Sequence, residues 1–155
     1  NLTYNNAIKH AKSLKHPIFQ PFISGKELSV DAYIDSKKNI KGVVIRERVL
    51  VVNGESQITK TIINKSLEEL LKDIIKPMEL YGHIILQAII DEDGNINVIE
   101  CNPRFGGASS ISIKSGLDSF YWLYLESRGV NIDNYPFKKL DHEIKQVRSQ
   151  RDIYL

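Results

Sequence analysis

An α+β fold built on antiparallel strands is predicted by three features of this 155-residue sequence. Apolar residues alternate from Glu27 onward, with Leu28, Val30, Ala32 and Ile34 on one side; a turn-rich Asp35-Ser36-Lys37-Lys38-Asn39 follows, and Ile40 to Val52 returns as a long strand. A second pair of apolar runs, His83 to Ile90 and Asn95 to Asn102, is joined by Asp91-Glu92-Asp93-Gly94, and Asp-Gly between apolar runs is a strong hairpin signal. Stretches with helical spacing lie around these hairpins, so helices are expected on one side of an antiparallel sheet.

Taken in order, residues 3 to 14 place Tyr4, Ala7, Ile8, Ala11 and Leu14 on one helical face, and Pro17 ends that helix. An extended piece from Pro17 to Ile23 closes at Ser24-Gly25. After the first hairpin, Asn53-Gly54 turns the chain into a third strand, Gln57 to Ile63. Ser66-Leu67-Glu68-Glu69 reads as a capping box opening a helix with Leu67, Leu70, Leu71, Ile74 and Ile75, bounded by Pro77 and Gly82. A short helix is expected around Ile111, and another from Asp118 to Arg128, closed by Gly129. The latter carries Phe120, Tyr121, Trp122, Leu123, Tyr124 and Leu125 nearly all round, so it is either buried or packed against a part absent from this chain. A last strand is expected within Gln146 to Tyr154.

Composition narrows the function classes. With 42% hydrophobic and 26% charged residues the chain reads as an ordinary globular domain. Its net charge of +2, with basic and acidic residues interspersed, argues against a nucleic-acid or membrane partner. One cysteine, Cys101, excludes a disulfide framework and a cysteine metal site, and a reducing, cytoplasmic setting is expected. Cys101 reads as core, and His10, His16, His83 and His142, which lack metal-ligand spacing, as structural.

The chemistry concentrates at Val98-Ile99-Glu100-Cys101-Asn102-Pro103-Arg104-Phe105-Gly106-Gly107. Glu100 and Asn102 share one face of a strand because side chains alternate. With Asp93-Gly94 as a two-residue loop, Gln87 falls opposite Glu100 and Ile85 opposite Asn102; a four-residue loop keeps that pairing and a three-residue loop breaks it. Gln87, Glu100 and Asn102 then converge with oxygen atoms, the ligands that Mg²⁺ takes alongside substrate phosphates. Arg104 adds a planar donor fork for phosphate or acyl-phosphate oxygens, and Gly106-Gly107 allow close backbone approach. Arg46 and Arg48 share a face and are candidates to reach phosphate or a carboxylate substrate; Lys60 is a candidate to do likewise from the next strand.

These residues resemble the E-x-N-P-R segment of the ATP-grasp superfamily, especially its short, carbamoyl-phosphate-synthase-like members. Gln20-Pro21-Phe22-Ile23-Ser24-Gly25-Lys26-Glu27 resembles their interdomain hinge, Leu86-Gln87-Ala88 the strand with the first metal ligand, and Gln146 to Leu155 the closing strand. The resemblance implies the C-terminal subdomain of an ATP-grasp domain, with residues 1–23 ending the first subdomain and hinge and 24–155 forming the second. It implies ATP and Mg²⁺ (or Mn²⁺) as cofactors. The hinge at Gln20 and Phe22 would meet adenine and Glu27 the ribose; Gln87, Glu100 and Asn102 would hold metal, and Arg104 would act on the transferring phosphoryl group or acyl phosphate, with Arg46, Arg48 and Lys60 remaining candidates from strand alternation. The implied activity is an ATP-dependent ligation through an acyl phosphate, with a small carboxylate or carbamate substrate and an amine-type acceptor. Because the chain starts at Asn1, about one helix before the hinge, and lacks the superfamily's upstream lysine and glycine-rich loop, it is expected to be the second half of a larger enzyme, inactive alone. A non-catalytic interaction module is the alternative, and the aromatic helix raises the expectation of a homo-oligomer.

Overall fold

The computed structural model describes residues 2–149. The elements run α1 (Tyr4–Ala11), β1 (Lys26–Ile34), β2 (Ile40–Val52), β3 (Glu55–Ile62), α2 (Lys65–Ile75), β4 (Gly82–Ile90), β5 (Ile96–Asn102), α3 (Ser109–Lys114), α4 (Ser119–Ser127) and β6 (Lys145–Val147). The strands form one antiparallel sheet ordered β5-β4-β1-β2-β3-β6. The α+β expectation holds. β6 covers Gln146 and Val147 of the expected last strand, and the part of that expectation beyond residue 149 lies outside the described residues.

Turn chemistry sets each hairpin. Between β1 and β2 the Asp35 carboxylate accepts the amides of Lys37 and Asn39, at 2.9 and 2.8 Å. Between β2 and β3, Asn53 and Gly54 both take positive φ, 51° and 78°, and Val52 faces Glu55, the two-residue loop whose twist matches that of the strands. The β4–β5 turn differs from the expectation. Asp91 pairs with Asn95 around three residues, Glu92, Asp93 and Gly94, with Gly94 at φ 83°. The Asp91 carboxylate stabilises it by accepting from the Asn95 amide at 2.8 Å and from Asn97 Nδ2 at 3.1 Å. A three-residue loop alone would slip the register by one. A bulge restores it: Ala88 faces Val98, Gln87 faces Glu100, and Ile99 is the extra residue. Gln87–Glu100 and Ile85–Asn102 are therefore paired as expected, by a different route.

Helix α2 starts two residues earlier than the capping-box reading. Its N-cap is Asn64, whose Oδ1 accepts the Leu67 amide at 3.0 Å, in place of Ser66. Asn64→Ala is expected to cost about 1 kcal/mol in denaturant unfolding, and Ser66→Ala a few tenths at most.

Helices pack on both faces of the sheet rather than on one. Leu28, Val30, Ala32, Val43, Ile45, Ile84 and Leu86 face α2 and bury against its Leu71 and Ile75. On the opposite face Tyr33 and Val44 bury against Leu117, Trp122 and Leu125 around α4. The sheet needs cover on both sides because β1 and β4 carry apolar residues on both faces, whereas the earlier expectation followed only the Leu28–Ile34 alternation. α3 and α4 cover only part of the second face. The remainder, carrying Glu27, Arg48, Gln87 and Asn102, is left as a polar cleft. Helix α4 turns Trp122 and Leu125 inward and leaves Phe120, Tyr121 and Tyr124 exposed.

Candidate functional site

The cleft is organised by a single row of cross-strand neighbours. Glu100 on β5 faces Gln87 on β4, which faces Ser29 on β1, which faces Arg46 on β2. Directly paired residues share a face, so the row projects from one side of the sheet. Asn102, two residues beyond Glu100, donates through Nδ2 to Glu100 Oε1 at 2.8 Å, and its side-chain carbonyl oxygen takes no hydrogen bond among the described residues. The cleft, about 230 Å³, is lined by Ser29, Arg46, Arg48, Gln87, Asn102 and Arg104, with Gly106 and Gly107 beside them. Glu100 adjoins it through Asn102 and is exposed.

The sequence-selected residues are not all gathered here. Arg48 reaches the cleft but four of its five N–H donors are engaged: Nη1 donates to Glu27 Oε2 at 3.0 Å and Gln87 Oε1 at 3.3 Å, Nη2 to the Gly54 carbonyl at 2.7 Å, and Nε to Ser56 Oγ at 3.0 Å. It thus ties Glu27 and Gln87 to the tip of the β2–β3 hairpin. Arg46 is only 2% exposed. Its Nε donates to Asp31 Oδ2 at 2.5 Å, the single hydrogen bond its guanidinium makes among the described residues, and its Nη side is left to the cleft. Arg104 is exposed, donating to the Phe105 carbonyl at 3.3 Å. Its loop is fixed by Phe105, whose ring is stacked between His83 and Phe120 at centroid distances of 4.2 and 3.8 Å.

Lys60 is placed elsewhere. It faces Glu47 across β2–β3 and shares that residue's side of the sheet, the α2 side. Its ammonium pairs with Glu143 at 2.5 Å, and that hydrogen bond raises its pKa. The alternation of β3 puts Thr59 and Thr61, not Lys60, on the cleft side. The hinge runs along the edge strand: Gln20 Nε2 donates to the Ile99 carbonyl at 3.2 Å, and Phe22 is 74% exposed. Gly25 lies so close to β4 that a Cβ there would be 2.1 Å from the Ile90 carbonyl oxygen, which demands glycine. Cys101 points to the opposite face and packs against the α2 core, where burial pushes its thiol up.

Two residues were missed from sequence. Arg148, just past β6, lines the cleft, holds Glu55 at 2.9 Å, and lies over Gly107, where a Cβ would be 2.2 Å from its Nη2. Its position depends on β6 pairing with β3, a contact far apart in sequence. Asp31 was hidden in an apolar strand. Burial alone would raise its carboxyl; the Arg46 charge and hydrogen bonds from His83 and Arg46 outweigh that and hold it below the usual carboxylate range.

The donor set suits a hard cation. Gln87, Glu100 and Asn102 offer one carboxylate and two amide oxygens. Among the described residues no group of three or more His, Cys, Asp or Glu is placed to hold a metal, so a cation here would depend on these amides and on oxygens brought by a ligand.

Solved structures share this fold. The chain superposes with a TM-score of 0.67 on the biotin carboxylase domain dimer of Hydrogenobacter thermophilus 2-oxoglutarate carboxylase, solved with MgADP, ADP and bicarbonate, at 16% identity, covering 82% of this chain and 30% of that one. It does so equally on Campylobacter jejuni biotin carboxylase with β,γ-ATP, at 17% identity over 82% and 30%. Rhizobium etli pyruvate carboxylase gives a TM-score of 0.67 at 14% identity over 85% and 15%. The chain shares the fold of part of these carboxylases and spans less than a third of their length. No curated protein matches the sequence. A family model described as ATP-grasp in the biosynthetic pathway with Ter operon matches residues 13–150, and the chain belongs to that ATP-grasp family.

Proposed function

We propose that this chain is the ATP- and Mg²⁺-binding half of an ATP-dependent ligase of the carboxylate–amine, carbamoyl-phosphate-synthase-like kind, working through an acyl phosphate. The observation that carries this reading is the cross-strand Gln87–Glu100 pair with Asn102 alongside, beside a cleft lined by Arg46, Arg104 and Arg148. Gln87, Glu100 and Asn102 would hold Mg²⁺, which when bound neutralises phosphate charge. Arg48 contacts both Glu27 and Gln87, so metal and ribose binding would both draw on residues it now restrains.

In the reaction a carboxylate oxygen of the substrate attacks the γ-phosphorus and ADP leaves; an amine nitrogen then attacks the acyl carbon and phosphate leaves. Such phosphoryl transfer is governed by positioning and charge neutralisation, which suits a cleft of guanidiniums without a general base. The presence of MgADP and bicarbonate in the Hydrogenobacter thermophilus relative supports a nucleotide beside a small oxyanion. A non-catalytic interaction module is favoured only by the exposed Phe120, Tyr121 and Tyr124, which do not require the polar row.

Hydroxylamine trapping tests this reading. The full-length protein, given MgATP, hydroxylamine and a panel of small carboxylates, is expected to form a hydroxamate in step with ADP. ADP release with every carboxylate but no hydroxamate would contradict the acyl-phosphate route.

A further inference from the structure

We infer that Asp31 is a positioning residue: its buried carboxylate aims the Arg46 guanidinium into the cleft and, through Ser109, fixes the Gly106–Gly107 turn that lines the cleft alongside it. Asp31 is fully enclosed on β1. Its Oδ2 accepts from Arg46 Nε at 2.5 Å and from Ser112 Oγ at 2.9 Å. Its Oδ1 accepts from Ser109 Oγ at 2.5 Å and from His83 Nε2 at 3.1 Å. A carboxylate only accepts, so His83 carries a proton on Nε2, while its Nδ1 meets Ser119 Oγ at 2.9 Å. Ser109 Oγ in turn accepts the Gly106 amide at 3.0 Å.

One carboxylate thus joins β2, β4 and α3, and two of the groups it reaches, Arg46 directly and Gly106 through Ser109, line the cleft. Holding α3 to the sheet does not by itself call for this arrangement, because apolar residues of similar volume replace a buried ion pair at little cost to stability. What the ion pair adds is direction. The Nε edge of Arg46 is taken by Asp31, and the Nη edge is left to an anion entering from the cleft.

The inference deepens the nucleotide-and-anion reading of the cleft and rests on it. The test measures binding of inorganic phosphate, in the presence of MgADP, to the full-length protein, alongside MgADP affinity itself. Asp31→Asn is expected to weaken phosphate by about 10-fold or more, the scale seen when the supporting partner of a ligand group is removed. MgADP affinity is expected to stay within about twofold. In an Arg46→Gln background, where phosphate is already weakened, Asp31→Asn is expected to cost less than it does with Arg46 present, and no more than Ser109→Ala costs. Ser109→Ala keeps the ion pair and is expected to lower phosphate affinity several-fold by freeing the glycine turn. The inference is overturned if phosphate binding survives both Asp31→Asn and Ser109→Ala. It is equally overturned if Asp31→Asn costs as much without Arg46, or if the unaltered protein binds no phosphate. Absent MgADP binding with the phosphate pattern intact would refute the nucleotide reading and still support the positioning role.

Discussion

Asp31→Asn is expected to destabilise the domain by about 3–5 kcal/mol, the cost of stranding a buried charge when its partner is removed. For a domain of this length that corresponds to a fall in melting temperature of roughly 10 °C. The cause is geometric: Arg46 is enclosed, and Asp31 is the one acid bonded to it among the described residues. Adding Arg46→Gln to Asp31→Asn removes the stranded charge, so the double variant is expected to melt above the single one. Because the folded-state pKa of Asp31 is lowered, its contribution is complete above its unfolded value near 4 and is lost as the pH falls toward the folded value. The stability gap between the unaltered protein and Asp31→Asn is therefore expected to be constant above about pH 5 and to narrow below it. A gap that is small at neutral pH, or that widens in acid, would contradict the network.

Much of the fold was legible because it is local. Asn53-Gly54, the alternation from Leu28 to Ile34 and the spacing of Leu67, Leu71 and Ile75 each act over a few residues, and each produced the expected element. The second face of the sheet was not legible in that way. Tyr33 and Val44 alternate out of phase with the Leu28 set, and their partners, Trp122 and Leu125, come from far down the chain. The apolar α4 was read as buried or packed against an absent part; the sheet covers its Trp122 and Leu125 side, and Phe120, Tyr121 and Tyr124 are exposed.

At the site, the Gln87–Glu100 row was legible because a hairpin pairs near neighbours. Its register came out as expected through compensating departures, a three-residue turn and the Ile99 bulge, and neither is written plainly in the residues around Asp93. Lys60 was misplaced by counting basic residues without counting strand parity. Asp31 and Arg148 escaped because their meaning lies in contacts with Arg46, Ser109, Glu55 and Gly107, which come together only in three dimensions.

The largest functional effect is expected from Glu100→Gln. Glu100 is exposed, and among the described residues its side chain bonds only to Asn102, so the substitution leaves stability within about 0.5 kcal/mol. It removes the one carboxylate of the row, and with it the anionic oxygen a divalent cation needs beside two amides. MgATP-dependent turnover is expected to fall by about 10²- to 10³-fold, the scale of losing one preorganised electrostatic partner. Calorimetric titration of ADP with and without Mg²⁺, on the full-length protein and on Glu100→Gln, separates this from general damage. Mg²⁺ is expected to tighten ADP binding to the unaltered protein and to have little effect on the variant, with metal-free ADP bound alike by both. An undiminished Mg²⁺ effect in Glu100→Gln would show that the cation is held elsewhere and contradict the central claim.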